Sequence, residues 1–193
     1  MYNIGMKHFF ITGTPNAGKS TLAKRIADKC DMLHIDVDSW REKMWQDESI
    51  RPWVDFFKDK DEMEYWSITT PEEDFQNLVN QSEAFWPFIL KNINAIVERD
   101  APAVFEAVNI LPHLAKRDLP FDGVVLVNTS VDTNLERLKI RPRWGASGEL
   151  QKIEAVRFAQ QADLYVKEAE KYGFRVFEND KEAEAYMINV LKN

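Results

Sequence analysis

The stretch Gly13-Thr14-Pro15-Asn16-Ala17-Gly18-Lys19-Ser20 decides the fold, because it fits G-x-x-x-x-G-K-[ST] at every fixed position. An apolar run precedes it at 8–12, and a helix-like run follows at 21–30. The two glycines allow the backbone to wrap closely around an anion, and the N–H groups of the loop and of the next helix then point at it. We predict that these eight residues, called the phosphate loop below, bind nucleotide phosphates together with Thr21.

The last two residues of the phosphate loop carry its chemistry. Lys19 is predicted to reach the β- and γ-phosphates and to stabilise the transferred charge, which makes it a candidate catalytic residue. The Ser20 hydroxyl is a hard oxygen ligand of the kind that Mg²⁺ prefers, and it is a candidate metal ligand. The expected cofactors are therefore ATP and Mg²⁺.

Composition narrows the class of protein. The 193 residues fit a single α/β domain spanning 1–193, and the net charge of −7 argues against a nucleic-acid-binding surface. The single cysteine excludes an intrachain disulfide. No secretory leader or membrane-spanning run is apparent, so we expect a cytoplasmic protein whose partner is a small-molecule substrate, and its oligomeric state stays open.

Five short β-rich runs, at 7–12, 32–36, 103–107, 123–128 and 174–177, alternate with helix-like segments. This alternation predicts a parallel sheet covered by helices on both faces. The interval between the second and third runs is too long for one crossover helix, and we predict a helical insertion at about 42–100.

The predicted insertion holds five of the six tryptophans if Trp40 at its edge is counted. Its aromatic residues could form the core of a small helical subdomain or line a substrate pocket. Within it, Thr70-Pro71-Glu72-Glu73 predicts a helix start with a capping box.

Charged residues follow the second strand in the order Asp36, Asp38 and Arg41. In parallel sheets ligands bind beyond the carboxyl ends of the strands, which places these residues beside the phosphate loop. We predict that Asp38 accepts the proton of the attacking hydroxyl or holds that hydroxyl, that Asp36 binds Mg²⁺ through water or contacts the substrate, and that Arg41 binds the substrate. The two aspartates are interchangeable on this evidence, and Asp38 or Ser39 could instead cap the following helix.

The third strand ends at Glu106, a carboxylate in an apolar run with an amide, Asn109, in its exit loop. Glu106 is a candidate for substrate binding or for ordering a Mg²⁺-bound water, and the alternative is a hydrogen-bonded structural role.

Further along the chain, Arg137 and Arg141 are spaced for one helix face and precede a loop containing Arg143 and Gly145. Such cations can close over the transferring phosphate as a mobile lid. Arg157, on the next long helix, is a weaker candidate for the same role.

The order of these motifs resembles the nucleoside-monophosphate-kinase-like group of P-loop kinases. Asp36-Val37-Asp38 is similar to the paired aspartates of shikimate-kinase-like enzymes, and Asp38-Ser39-Trp40-Arg41 to the D-x-x-R of 2-phosphoglycerate-kinase-like families. The glycine-rich exit of the third strand in shikimate kinases is replaced here by Glu106-Ala107-Val108-Asn109, which disfavours shikimate itself. By this resemblance Arg137 stacks on adenine, Arg141 contacts phosphate, and the loop after Phe177 borders the adenine.

Taken together, the residues and the resemblance predict a three-layer P-loop fold with strand order 2-3-1-4-5. The expected activity is Mg²⁺-assisted transfer of the ATP γ-phosphate to a hydroxyl or phosphate of a small molecule. The alternatives are a nucleotide or nucleoside kinase, a nucleotide-gated ATP-binding protein without transfer, and a polynucleotide end kinase.

Overall fold

The computed structural model describes residues 8–57, 60–99, 101–142 and 147–192. Its centre is a parallel sheet whose strands run in the order β2-β3-β1-β4-β5, as predicted. The strands are β1 (His8–Gly13), β2 (Leu33–Asp36), β3 (Ala103–Glu106), β4 (Gly123–Leu126) and β5 (Arg175–Phe177). Each lies within a residue or two of its predicted bounds, and the predictions at Lys7, Arg143 and Gly145 lie outside the described residues.

Helices connect the strands and cover both faces of the sheet. They are α1 (Lys19–Cys30), α2 (Arg41–Met44), α3 (Arg51–Val54), α4 (Glu62–Ile68), α5 (Pro71–Val97), α6 (Pro112–Asp118), α7 (Val131–Ile140), α8 (Gly148–Tyr172) and α9 (Asp180–Lys192). A short 3₁₀ turn (Asp38–Trp40) leads from β2 into α2. No helix in the described part of the chain is long and apolar enough to cross a bilayer.

Burial differs between the central and the outer strands. β1, β3 and β4 are buried throughout, which fits strands that are covered on both faces. β2 and β5 lie at the sheet edges and are largely exposed or half-buried. Each of these edge strands pairs with a single neighbouring strand, and the helices that pack on the sheet cover its edges less completely than its centre.

Two apolar clusters fill the space between the sheet and its helices. One lies where α1 and α9 meet the sheet and includes Ile11, Leu22 and Met187. The other lies on the opposite face, where α5, α6 and α8 pack, and includes Phe10, Trp86 and Tyr165. The sheet is therefore the middle of three layers, and the loops at its carboxyl edge are free to form a site.

The segment between β2 and β3 folds as four helices, α2 to α5. Its long helix α5 begins with a full capping box, in which Thr70 accepts from the Glu73 N–H and Glu73 reaches back to Thr70, as predicted. Phe85 and Trp86 of α5 join the main core, whereas Phe57 and Trp66 line a cavity described below. The aromatic residues of this segment therefore divide between the main core and the wall of a cavity, and both the substrate-pocket interpretation and the status of 42–100 as an insertion stay predictions.

Candidate active site

The phosphate loop leaves β1 through a backbone conformation that only glycine accommodates easily. Gly13 has φ of +127°, and a Cβ there would lie 1.9 Å from the Leu126 carbonyl oxygen of β4. Gly18, just before α1, has φ of +99° and is followed directly by the helix N-terminus. The loop therefore curls back over the sheet edge and presents backbone N–H groups at the start of α1, where an anion is favoured.

Lys19 lies almost buried inside this curl. Its Nζ donates to the carbonyl oxygens of Gly13 at 3.1 Å and Thr14 at 2.8 Å. A cavity of about 380 Å³, called the phosphate cavity, opens on the outer side of the loop. It is lined by Asn16, Ala17, Gly18, Lys19, Ser20, Thr21, Arg137, Ile140, Arg141 and Asp180. The predicted phosphate-binding residues from Asn16 to Thr21 are thus brought to one cavity with both predicted lid arginines.

Asparagines tie the phosphate loop to α7. Asn16, with φ of +61°, donates from Nδ2 to the Asn134 carbonyl at 3.0 Å. The fully buried Asn134 accepts from Asn128 at 2.9 Å and donates to the Asn128 carbonyl at 3.3 Å. Thr14 Oγ1 accepts from the Asn128 N–H at 3.2 Å. The loop is therefore held from β4 and α7 as well as by its own turn.

The predicted lid arginines have different positions. Arg137 lies on α7, and its Nη1 donates to the Asn16 carbonyl of the phosphate loop at 2.7 Å. Arg141 is exposed and caps the carboxyl end of α7, where its backbone N–H donates to the Arg137 carbonyl at 2.9 Å, one helical turn back. Arg157 is buried, and its Nη2 donates to the carbonyls of Trp66 and Thr69. It therefore connects α8 to α4, and its guanidinium is engaged there, not at the phosphate cavity.

Glu106 connects the strand ends to the phosphate loop. It is only 2% exposed and lies opposite Asp36 in the β2–β3 register. Burial is the main cause that raises the pKa of Glu106, and the negative charges of Asp38 and Asp36 raise it further. The hydrogen bond from the Ser20 hydroxyl and the positive charge of Lys19 lower it. The structure thus brings together three carboxylates, one cation and the predicted Mg²⁺-binding hydroxyl.

The two aspartates at the end of β2 have different surroundings. Asp36 is exposed, and its Oδ1 accepts from the Ser39 N–H at 3.2 Å, so it stabilises the 3₁₀ turn. The 3₁₀ turn and α2 have Val37 and Trp40 as their N-caps, and the negative charge of Asp38 acts on Glu106. Among the described residues, no group of three or more His, Cys, Asp and Glu side chains is arranged to hold a metal ion.

A second cavity of about 70 Å³, the aromatic cavity, lies on the other side of the phosphate loop and includes Pro15 in its wall. Besides Pro15, its apolar wall consists of five residues from five separate elements or loops, namely Phe57, Trp66, Leu78, Val108 and Phe158. Arg41 reaches it from α2, where its Nη2 donates to the buried Asn109 at 3.3 Å and its Cζ lies 5.6 Å from the Phe85 ring centroid.

The polar lining of the aromatic cavity is centred on Asp74. Its carboxylate accepts from the Tyr65 hydroxyl at 2.8 Å and from Gln161 Nε2 at 2.5 Å. Burial raises the pKa of Asp74, and the hydrogen bonds from Tyr65 and Gln161 and the charge of Arg157 oppose that rise. Burial, followed by the charge of Asp74, also raises the pKa of Tyr65, which keeps the phenol protonated as a donor.

Sequence reasoning missed the polar residues of the aromatic cavity. Asp74, Gln81 and Gln161 are buried on long helices whose inward faces are otherwise largely apolar. Polar side chains at core-facing positions of an amphipathic helix are the signal that could have found them. That signal can be recognised only when it is known that α5 and α8 pack with a cavity between them.

The fold is similar to that of several solved structures, two of which are kinases by name. Shikimate kinase from Acinetobacter baumannii in complex with shikimate has a TM-score of 0.55 at 14% identity, covering 96% of this chain and 92% of that one. A gluconokinase from Sinorhizobium meliloti 1021 has a TM-score of 0.51 at 16% identity, covering 96% and 91%. TT1252 from Thermus thermophilus has a TM-score of 0.54 at 18% identity, covering 94% and 95%.

Sequence comparisons add nothing to this likeness. No protein-family model matches the chain, and no curated protein matches it. At the identities above, the structural likeness concerns the fold alone. The chain therefore has the fold of P-loop small-molecule kinases, as its motif order predicted.

Proposed function

We propose that this protein is a kinase that transfers the γ-phosphoryl group of ATP to a hydroxyl of a small molecule. One observation carries the proposal: consecutive residues of the phosphate loop line different cavities, Pro15 the aromatic cavity and Asn16 the phosphate cavity. A nucleotide in one and an acceptor in the other would meet across the loop. The kinase fold of the structural neighbours agrees with this arrangement.

The phosphate cavity suits a nucleoside triphosphate. Its loop has the backbone curl that Gly13 permits, a nearly buried lysine and the N-terminus of α1, which together favour a polyanion. Lys19 binds the β- and γ-phosphates, Arg137 contacts the nucleotide, and Arg141 stabilises the charge that develops on the transferred group.

The residues near Glu106 fit a magnesium ion that arrives with the nucleotide. Ser20 would hold it directly, and Asp36 and Glu106 would hold its water ligands, since hydroxyl and carboxylate oxygens are the donors that Mg²⁺ prefers. A magnesium ion held by these residues would supply positive charge that offsets the negative charge of the nucleotide phosphates.

The chemical step balances with residues of this chain. The acceptor hydroxyl oxygen forms a bond to the γ-phosphorus, and the bond from that phosphorus to the β–γ bridging oxygen breaks. ADP leaves with the electron pair, and the hydroxyl proton passes to the Asp38 carboxylate. Arg41, held by Asn109, contacts the acceptor from the aromatic cavity.

The test is transfer of labelled γ-phosphate from ATP with Mg²⁺ to pooled hydroxyl metabolites, nucleosides, nucleotides and oligonucleotides. We expect a labelled small molecule with the wild-type protein and roughly 10²–10³-fold less with Lys19→Ala, by analogy with the loss of one charge-stabilising donor. Lys24→Ala, at an exposed position on the same helix, is the matched control.

Two outcomes would contradict this proposal. ATP binding without any transfer would favour a nucleotide-gated binding protein. Labelling of oligonucleotides alone would favour an end kinase.

A further inference from the structure

A half-buried arginine at the aromatic cavity is held by neutral groups. Arg41 lines this cavity, and its Nη2 donates to Asn109 Oδ1 at 3.3 Å. Its Cζ lies 5.6 Å from the centroid of the Phe85 ring, which is within the range of a cation–π contact. Among the residues that the structure describes, no carboxylate forms an ion pair with Arg41.

Other arginines of the fold have carboxylate partners. Nitrogens of Arg25 lie 2.8 Å from carboxylate oxygens of Asp180 and Glu184, and Arg117 Nε lies 2.8 Å from Asp118. An amide compensates a guanidinium less strongly than a carboxylate does, because hydrogen bonds between two charged groups are stronger. The positive charge of Arg41 is therefore not neutralised by the residues that hold it, and it can attract an anion.

Two partners on α5 fix the orientation of the Asn109 amide. Asn109 is only 2% exposed, and its Nδ2 donates to Ser82 Oγ at 2.9 Å and to Gln81 Oε1 at 3.3 Å. Gln81 is fixed in turn, since its Nε2 donates to the Trp53 carbonyl at 2.7 Å. A flipped Asn109 amide would bring its Oδ1 against Gln81 Oε1 with no proton between them. The amide oxygen is therefore directed toward Arg41.

The exit loop of β3 connects this amide to the strand end. Asn109 follows Glu106 by three residues, and Val108 between them lines the aromatic cavity. One short loop thus carries both the carboxylate that accepts from Ser20 and the amide that holds Arg41. The same loop is the place where the sequence departs from the glycine-rich exit of shikimate kinases, so this device belongs to the chain itself.

The size of the aromatic cavity limits what Arg41 can bind there. Its volume of about 70 Å³ is less than half the roughly 150 Å³ of an engineered cavity that binds benzene. A group of a few atoms, such as a carboxylate, suits this volume, whereas a ring does not. Pro15 of the phosphate loop lines the same cavity, so the rest of a bound molecule can lie along that loop.

We infer that Asn109 is a positioning residue that orients Arg41 without neutralising it, so that Arg41 binds a carboxylate carried by the phosphoryl acceptor. The inference rests on the proposed function for the word acceptor, whereas the anion site can be tested without phosphoryl transfer. A carboxylate pairs with a guanidinium through two parallel hydrogen bonds, and a neutral hydroxyl or amide has no equivalent contact. The acceptor is then an alcohol that bears a carboxylate.

The experiment uses acetate as the probe and acetamide as its neutral counterpart. The ¹⁵N-labelled protein is saturated with Mg²⁺ and a nonhydrolysable ATP analogue, which occupies the phosphate loop. Each probe is then titrated while the backbone amide resonances of the β3 exit loop and the arginine Nε–H resonances are followed. We expect saturable shifts with acetate and none with acetamide. Arg41→Gln, which keeps a donor for Asn109 and removes the charge, should bind acetate at least about tenfold more weakly.

Substitutions at Asn109 test the positioning role. Asn109→Asp keeps the shape of the side chain and adds a charge that pairs with Arg41, so we expect acetate to bind at least about tenfold more weakly. Asn109→Ala removes the orienting amide without adding charge and should weaken acetate binding by a smaller factor. Neither variant should change the affinity for the ATP analogue, which a general loss of structure would lower.

A matched variant controls for the added charge. Asn94→Asp introduces the same charge at an exposed position of α5, about 20 Å farther along the helix than Gln81. It should bind acetate with wild-type affinity.

The outcomes separate this inference from the proposed function. Acetate binding that depends on Arg41 and Asn109, with no phosphoryl transfer to any compound, would support the anion site and overturn the kinase proposal. Transfer to a neutral alcohol, with acetate bound equally by the wild type and Arg41→Gln, would support the kinase and overturn the anion site.

Three further results would also overturn the inference. Unchanged acetate binding in folded Asn109→Asp would remove the positioning role. Weaker binding of the ATP analogue to Arg41→Gln, with acetate binding unchanged, would make Arg41 a nucleotide ligand. A wild-type protein that does not distinguish acetate from acetamide would show that no anion site exists, even if Asn109→Asp failed to fold.

Discussion

The phosphate loop and the aromatic cavity lie side by side, yet they are built in opposite ways. The loop is formed by eight consecutive residues whose backbone conformation does the binding, with Gly13 and Gly18 at positive φ. The cavity is formed by side chains that are far apart in sequence, such as Asp74 and Gln161, which are 87 positions apart and hydrogen-bonded. A site made of local backbone is recognisable as a motif, whereas a site made of distant side chains carries no contiguous pattern.

The largest expected effect lies at the boundary between the two regions. Asp38→Asn removes the proposed proton acceptor while keeping the shape of the side chain, and we expect kcat to fall by about 10²–10⁴-fold. Steady-state kinetics with the acceptor found in the labelled-phosphate transfer assay measures this loss. Glu42→Gln, at an exposed position of α2, is the control and should keep wild-type kcat. An unchanged kcat in folded Asp38→Asn would assign the base to another carboxylate.

The second prediction concerns the backbone of the phosphate loop. Gly13→Ala places a Cβ at 1.9 Å from the Leu126 carbonyl and in a disfavoured φ region, so we expect a loss of about 3 kcal/mol or more in the free energy of unfolding. Urea denaturation measures it. Gly148→Ala, at the start of α8 where no atom lies within 4 Å of the added Cβ, should be neutral or slightly stabilising. Equal stabilities for the two variants would contradict a backbone-determined loop.

The third prediction tests the support that α7 gives to the loop. Asn134→Leu leaves the half-buried Asn128 amide and carbonyl without their Asn134 partner, and we expect a loss of about 2 kcal/mol in unfolding free energy with weaker ATP binding. Calorimetry with ATP and denaturation give the two values. Glu136→Gln, exposed on the same helix, should change neither. Destabilisation with intact ATP affinity would show that the loop holds its conformation alone.

The smallest expected effect is a pH dependence of the unfolding free energy, and it comes from a contact among the helices that carry the cavity walls. His113 of α6 contacts Glu168 of α8 at 2.5 Å and Glu83 of α5 at 3.1 Å. The hydrogen bond to Glu168 is the main cause that raises the pKa of His113 above its ordinary 6.5, and burial opposes it. The protonated form is therefore favoured by folding, and this stabilisation is present below pH 6.5 and disappears as pH rises through the raised pKa.

This pH dependence is measured as the unfolding free energy between pH 5 and 9. We expect the stability of the wild-type protein to decline across that window relative to His113→Gln, which has no titrating group there. Arg117, whose Nη1 lies 3.6 Å from Glu83, should retain its contact in both proteins. Parallel profiles for the two proteins would contradict the assignment.

Much of the fold could be predicted from the sequence because its signals are local. Runs of apolar residues between helix-like segments predicted the five parallel strands, and Thr70, Pro71 and Glu73 predicted the start of α5. The exposure of β2 and β5 could not be predicted in this way, because burial of a strand depends on its place in the sheet.

The sequence by itself determined the phosphate loop and the residues that follow the strands, because close backbone approach to an anion requires glycine at set positions. Only the tertiary structure decided which partners the side chains of those residues contact. The carboxylate of Asp36, at the end of β2, accepts from the 3₁₀ turn, the charge of Asp38 acts on Glu106, and Gln161 of α8 donates to Asp74 of α5. Side-chain direction and burial depend on how helices pack across the sheet, and no short stretch of sequence records that packing.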